Sequence, residues 1–189
     1  MHGSVETHPA VAVRRLLAVA LALQLSSLIA AHAQLQYVPY AAAVGMKVCG
    51  VESRDGNWQF AVDVVAAMAV SAGVTYTLKE AVHEWRPDDS DRHSFPSGHA
   101  AMAFSGAALL HHQYGHLSPW VTVSGYAYAL GVAVERVCSE RHYVHDVAAG
   151  AAIGYLSAEL SFWVTDKIFP DKDVSVSLSP GGLHLAYAF

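Results

Sequence analysis

Long apolar stretches broken by short polar turns organise this chain. "WQFAVDVVAAMAVSAGVTYTLKEAVHEW", Trp58 to Trp85, is rich in Ala and Val with apolar residues on nearly every face. That pattern predicts a buried helix, which Pro87 ends because the residue before a proline avoids the α region. "PDDSDRHSFPSG" is then a polar loop. From His93 to Val134 there is no Asp, Glu, Lys or Arg. Two helices are expected there, over 99–114 and 119–134, with "GHLS" between them, and a fourth over 145–169. The many Ala, Gly and Ser residues let such helices pack closely. Residues 34–57 show no clean period and read as an irregular lead-in, in which Ser53 or Asp55 offers an N-cap to the first helix. After residue 170 the period changes. Val174, Val176 and Leu178 alternate with serines, "PGG" turns the chain, and Leu183, Leu185, Tyr187 and Phe189 alternate again. This predicts a β-hairpin over 171–189, too small to stand alone and far short of a barrel. The expected fold is all-α: a compact helical bundle over 58–170 with a short C-terminal β-hairpin.

The N-terminus has a different pattern. Arg14 and Arg15 precede "LLAVALALQLSSLIA", and Ala31–Ala33 reads "AHA". A basic start, an apolar run and an A-x-A site predict a signal peptide over 1–33, with Gln34 first in the mature protein. The apolar run is short for a membrane anchor of roughly 20 residues, the other reading of this segment. Either way the bundle is expected outside the cytoplasm, exported to the cell envelope. Cys49 and Cys138 are then free to form a disulfide or to remain thiols.

Composition sharpens the picture. The 189 residues suit one domain; 53% are hydrophobic and 14% charged, against a usual charged fraction of ~25%. This excludes disorder. The net charge of -5 argues against a nucleic-acid partner, so an anionic ligand needs a local cluster of cations. The charge-free segments, about 15–19 residues long, are borderline for spanning a bilayer. A compact periplasmic bundle and a membrane-embedded one both fit, and the shortage of polar surface favours membrane association. No oligomeric state is legible.

Three small groups carry candidate chemistry. Lys79 and Arg86 are seven residues apart, two helical turns, and are expected on one helix face. In "PSGH", Ser97 is a plausible N-cap. Gly98 lets a ligand approach the backbone, and the free N–H groups of a helix start favour an anion. His99 stands beside them. In "ERVCSERHYVHDVAAG", His142 and Asp146 are four apart and expected on one face, where the carboxylate would fix the Nδ1 tautomer and leave Nε2 free to attack. His145 is expected to point elsewhere. Each group alone has a bland reading: a solvated helix end, a capped helix, a surface ion pair. Together they supply three cations, two histidines, one orienting carboxylate and an anion-binding helix start. Those are the needs of phosphoryl transfer.

The order and spacing resemble the type 2 phosphatidic acid phosphatase superfamily, whose signature is K-x6-R-P, then P-S-G-H, then S-R-x5-H-x3-D. Lys79, Arg86 and Pro87 match the first block, Pro96 to His99 the second, and Arg136, His142 and Asp146 the third. The resemblance implies a helical bundle that hydrolyses a phosphate ester with no metal and no cofactor. His142 would be the nucleophile, His99 the acid and base, and Asp146 the partner of His142. Lys79, Arg86, Ser97, Gly98 and Arg136 would hold the phosphate. Glu135 departs from the signature, standing where it has Ser; pointing inward, its carboxylate would weaken the field on the substrate. Membrane-type relatives also carry more helices before the Lys block than fit between Gln34 and Lys79.

The expected substrate is a lipid phosphate such as phosphatidic acid, a prenyl phosphate or a lipid A phosphate. The rival substrate is a small soluble phosphomonoester, and a non-enzymatic rival is an anion-binding envelope protein with a dead site. Relatives that hold vanadate in this pocket are far longer chains. A metal site at His111, His112 and His116 is disfavoured, because no carboxylate or Cys stands near them in sequence and Gly115 is expected to end their helix. Free histidine titrates near ~6.5, which predicts a mildly acidic optimum.

Overall fold

The computed structural model describes residues 34–169, together with the backbone of two later strands. The expected signal peptide, cleavage site and apolar run at 1–33 lie outside the described residues. By its contacts the chain divides into residues 1–35 and a body from Gln36 onward. The α-helices of the described residues belong to the body.

There are five of them: α1 (Val38–Val48), α2 (Asn57–Val82), α3 (Gly98–Tyr114), α4 (Pro119–Cys138) and α5 (Val144–Ile168). The lead-in is therefore not irregular. A 3-10 turn over Leu35–Tyr37 runs into α1, which has a proline in its first turn, where a missing N–H costs nothing. Period alone hid this helix. Its buried positions are Pro39, Tyr40 and Ala43, and Tyr40 and Ala43 are tied to α3 through hydroxyl bonds. The Tyr40 hydroxyl lies 2.7 Å from Ser105 Oγ, and the Tyr114 hydroxyl donates to Ala43 O at 3.0 Å.

The bounds of α2 also differ. Its N-cap is Gly56 rather than Ser53 or Asp55. Lys47 Nζ donates to Ser53 Oγ and to Asp55 O, while Gln113 Nε2 donates to Asp55 Oδ2 at 2.7 Å. Both expected caps are thus engaged elsewhere. At the other end α2 stops at Val82, where His83 turns left-handed (φ 48°). Trp85 and Arg86 lie beyond it.

α3 is the central helix, packed by α1, α2, α4 and α5. Eleven of its residues are buried, mostly Ala, Ser and Gly. Tyr40, Phe60, Leu109, Tyr114 and Phe162 fill the core away from the α3 N-terminus. A buried polar knot closes that end: Asp63 of α2 accepts from Gln113 Nε2 of α3 at 2.9 Å and from Thr165 Oγ1 of α5. The outward faces are apolar instead, with Trp120 75%, Val65 66% and Leu156 63% exposed. α2 and α5 are long and apolar enough, by length and composition, to cross a membrane. Two short strands follow α5, Val174–Ser179 and Gly182–Tyr187; the supported fold class is all-α, and the β-hairpin expected over 171–189 is not part of it. Cys49 and Cys138 are free and exposed, so no disulfide joins them.

Candidate active site

The last turns of α2 and α4 meet the first turns of α3 and α5 at one end of the body. Backbone and side-chain bonds knit the join. Ser97 N donates to Asp146 O at 3.0 Å, Ser94 N to Glu84 O at 3.0 Å, and His142 N to Arg136 O at 3.2 Å. Lys79 Nζ, in the last turn of α2, donates to His93 O at 2.6 Å. All three sequence groups therefore converge here.

Ser97 caps α3 as expected, accepting from Ala100 N. A Cβ added at Gly98 would meet only Lys79 Cε at 3.9 Å and Thr75 Cγ2 at 3.6 Å. The α3 start thus faces the Lys79 stem, and its free donors add to the cation's field.

Arg86 reaches the site by a different route from the one its spacing suggested. It is not on a helix face with Lys79 but in the loop after α2. Its Nε is held by Asp91 Oδ1 at 2.8 Å, and its Nη1 lies 3.5 Å from Arg141 O. Loop geometry replaces helical spacing as the positioning device.

His142 likewise is not on a helix. It precedes Tyr143, the N-cap of α5, while Asp146 is in that helix's first turn. The buried pair still faces each other, with His142 Nδ1 3.6 Å from Asp146 Oδ2. That distance exceeds a hydrogen bond, and His142 Nδ1 has no hydrogen-bond partner. Asp146 Oδ2 instead accepts from Tyr143 N at 2.8 Å and from the Ser94 hydroxyl. Ser94 is the neighbour of the candidate site that sequence reasoning missed. It holds the carboxylate that faces His142, and its only signal was a place two residues before the P-S-G-H run. His145 does not point away either: its Nε2 lies 2.9 Å from Glu84 Oε1 and 3.2 Å from Asp146 Oδ1.

The electrostatics are those of an anion cradle. His142 is pushed down to about 4, first by burial and then by Lys79, Arg86 and Arg136, with Asp146 opposing. His99 is pushed down to about 4 by burial, then by Arg136, with Glu135 opposing and Arg86 and Lys79 adding. Lys79, Arg86 and Arg136 thus act on both rings, as a cluster of cations does on neighbouring imidazoles. Arg136 Nε is buried without a partner, a donor left for a ligand. Glu135 lies 3.6 Å from Arg136 Nη1 with its side chain 43% exposed. It pairs with the cation from the solvent side and tempers the field.

Two groups have metal-ligand spacing among the described residues: Asp55, Asp63 and His112, and Glu84, His145 and Asp146. The fold therefore does bring carboxylates to His112, which the sequence keeps far apart. α3 ends at Tyr114 with Gly115 as its C-cap, as its sequence suggested. Neither group contains His99 or His142.

Known proteins resemble this chain in sequence and in fold. The chain is 39% identical over 137 residues to the lipid A 1-phosphatase of Porphyromonas gingivalis, covering 72% of this chain and 31% of that protein. It is 40% identical over 78 residues to the bacitracin transport permease protein BcrC of Bacillus licheniformis, covering 40% of this chain and 35% of that one. It thus spans about a third of the length of these curated relatives. Among solved structures, LpxE of Aquifex aeolicus matches with a TM-score of 0.56 and 20% identity, covering 72% of this chain and 86% of the other; that likeness is one of fold. The PAP2 superfamily profile matches residues 60–170, from α2 to the end of α5, and the chain belongs to that superfamily.

Proposed function

We propose that this chain is a membrane-associated envelope phosphatase that removes the phosphate of a phosphorylated lipid, with a lipid A phosphate the first candidate. The observation that carries the reading is the buried His142, 3.6 Å from Asp146 and subject to the same three cations as His99. His142 Nε2 attacks phosphorus as the bond to the lipid oxygen breaks, and His99 gives that oxygen its proton. His99 then takes a proton from water, the water oxygen attacks phosphorus, and the P–N bond breaks to release phosphate. Lys79, Arg86, Arg136 and the α3 N–H groups stabilise the equatorial oxygens. Ser97 caps that helix start, and Gly98 leaves it open. The name of the Porphyromonas gingivalis relative supports the substrate class, and the apolar exterior supports the location. No step calls for a metal or cofactor.

A phosphate-release assay tests this. Lipid A, phosphatidic acid and prenyl phosphates in detergent should be hydrolysed faster than an aryl phosphate, with excess chelator present. Equal or faster turnover of the aryl ester would turn the reading toward a broad acid phosphatase. No release from any ester would leave an anion-binding protein.

The pH profile should be more acidic than free histidine suggests. kcat/KM reports the free enzyme, in which His142 must be neutral and His99 protonated. Both rings sit at about 4. Below that His142 gains a proton and loses its nucleophilic lone pair; above it His99 loses the proton it must give. kcat/KM therefore peaks well below the ~6.5 of a free imidazole. A bound phosphate dianion raises His99, so kcat persists to higher pH than kcat/KM does. Superimposable kcat and kcat/KM profiles, or a maximum at alkaline pH, would remove this assignment.

A further inference from the structure

Beside the phosphate cradle lies an apolar cavity of about 360 Å³, at the lower end of the ~300–1,000 Å³ usual for ligand pockets. Phe104 of α3, Ala133, Val134 and Val137 of α4, and Val147 and Ala151 of α5 are among its walls. All three helices carry active-site residues. Val137 follows Arg136, Val147 follows Asp146, and both belong to the apolar cluster of Ala100, which follows His99. The cavity is thus lined by the chain neighbours of Arg136 and Asp146 rather than by those residues themselves.

From there it runs away from the site along two helices. The lining extends from Val137 back to Leu130 on α4 and from Val144 on to Ala151 on α5. Seven residues of helix is about 10 Å on each. Along one side it is open, with Leu130 58% and Val134 53% exposed. An apolar groove whose walls adjoin Arg136 and Asp146 in the chain matches an amphiphile with a phosphate head and an alkyl chain.

We infer that the groove between α4 and α5 seats one acyl chain of the substrate while Arg136 and its neighbours hold the phosphate. The inference rests on the lipid phosphatase reading above and adds the residues that select chain length. Each methylene seated there leaves water, a gain of ~0.8 kcal/mol, so longer chains raise kcat/KM until the groove is full.

The test compares hexadecyl phosphate with phenyl phosphate. Ala151→Phe puts a ring into the groove and should lower the ratio of their kcat/KM values by about tenfold or more, the worth of two or so methylenes. An unchanged ratio overturns the groove. Failure of the lipid reading looks different: the unaltered protein would hydrolyse phenyl phosphate and leave hexadecyl phosphate untouched.

A second measurement needs no groove variant. Cys138 is a free, exposed thiol on the cavity wall. With Cys49→Ser removing the other thiol, hexadecylphosphonate in detergent should slow alkylation of Cys138 by a maleimide several-fold, and methylphosphonate should not. Equal protection by both, or by neither, overturns the inference.

Discussion

His142→Ala abolishes phosphate release, with kcat falling by roughly 10⁴-fold or more, while the helical circular-dichroism signal stays unchanged. The expected size follows from the role. Losing a nucleophile removes the covalent route, leaving only the pocket's field and binding. The retained fold follows from the surroundings. His142 Nδ1 makes no hydrogen bond, so its removal orphans no partner there, and His142 lies before α5 rather than inside it. The three cations that depress the ring remain to bind substrate, so KM changes little beside kcat. Single-turnover assays on the purified variant check both quantities. A variant retaining more than a tenth of the native kcat would rule out attack by His142.

Gly154→Ala disrupts the body itself. A Cβ at Gly154 would stand 2.0 Å from Ala101 O, with Ala101 C at 2.8 Å and Cα at 2.9 Å. All three are backbone atoms of α3, which no rotamer change can move. One turn earlier on α5, a Cβ at Gly150 would stand 2.4 Å from Ser97 O. α3 and α5 therefore touch backbone to backbone through a glycine face, and adding a methyl forces them apart. Overpacking of this kind costs about 3 kcal/mol or more. For a body of this size that is a drop in Tm of roughly 10 °C. Gly131 on α4 is the control, since nothing lies within 4 Å of its Cβ position. There Gly→Ala should be neutral or stabilising, by up to ~1 kcal/mol. Thermal denaturation of the two variants side by side decides the matter; equal Tm values would mean that the helices do not approach so closely. The same close approach presses Gly150 against Ser97, the residue that caps α3 and sets the cradle floor. Packing and phosphate binding thus depend on one helix contact.

Four of the five helices were legible because each is a long apolar run bounded by polar residues, and such a run has few other ways to bury itself. α1 was not: it has only eleven residues, and it is held to α3 by two hydroxyl bonds that no period encodes. The site divides in the same way. Lys79, Arg86, Ser97, Gly98, His99, Arg136, His142 and Asp146 could be named from residue type and spacing. Spacing placed Arg86 and His142 on helices, whereas they stand in loops held by Asp91 and by Arg136 O. Ser94 was not singled out, because a hydroxyl's role depends on which distant carboxylate it meets.

By itself the amino-acid sequence determined the helical class, from apolar runs, and supplied the candidate chemical groups, charged and imidazole side chains that an apolar chain has little other reason to keep. Only the tertiary structure decided how those groups face one another. It set the gap between His142 and Asp146, gave Asp146 to Ser94 and Tyr143, brought two carboxylates to His112, and opened the groove between α4 and α5. The physical reason is range. Helix formation and capping act over a few residues and leave a local pattern, whereas pocket geometry comes from contacts between segments 50 or so residues apart, as Ser94 and Asp146 are.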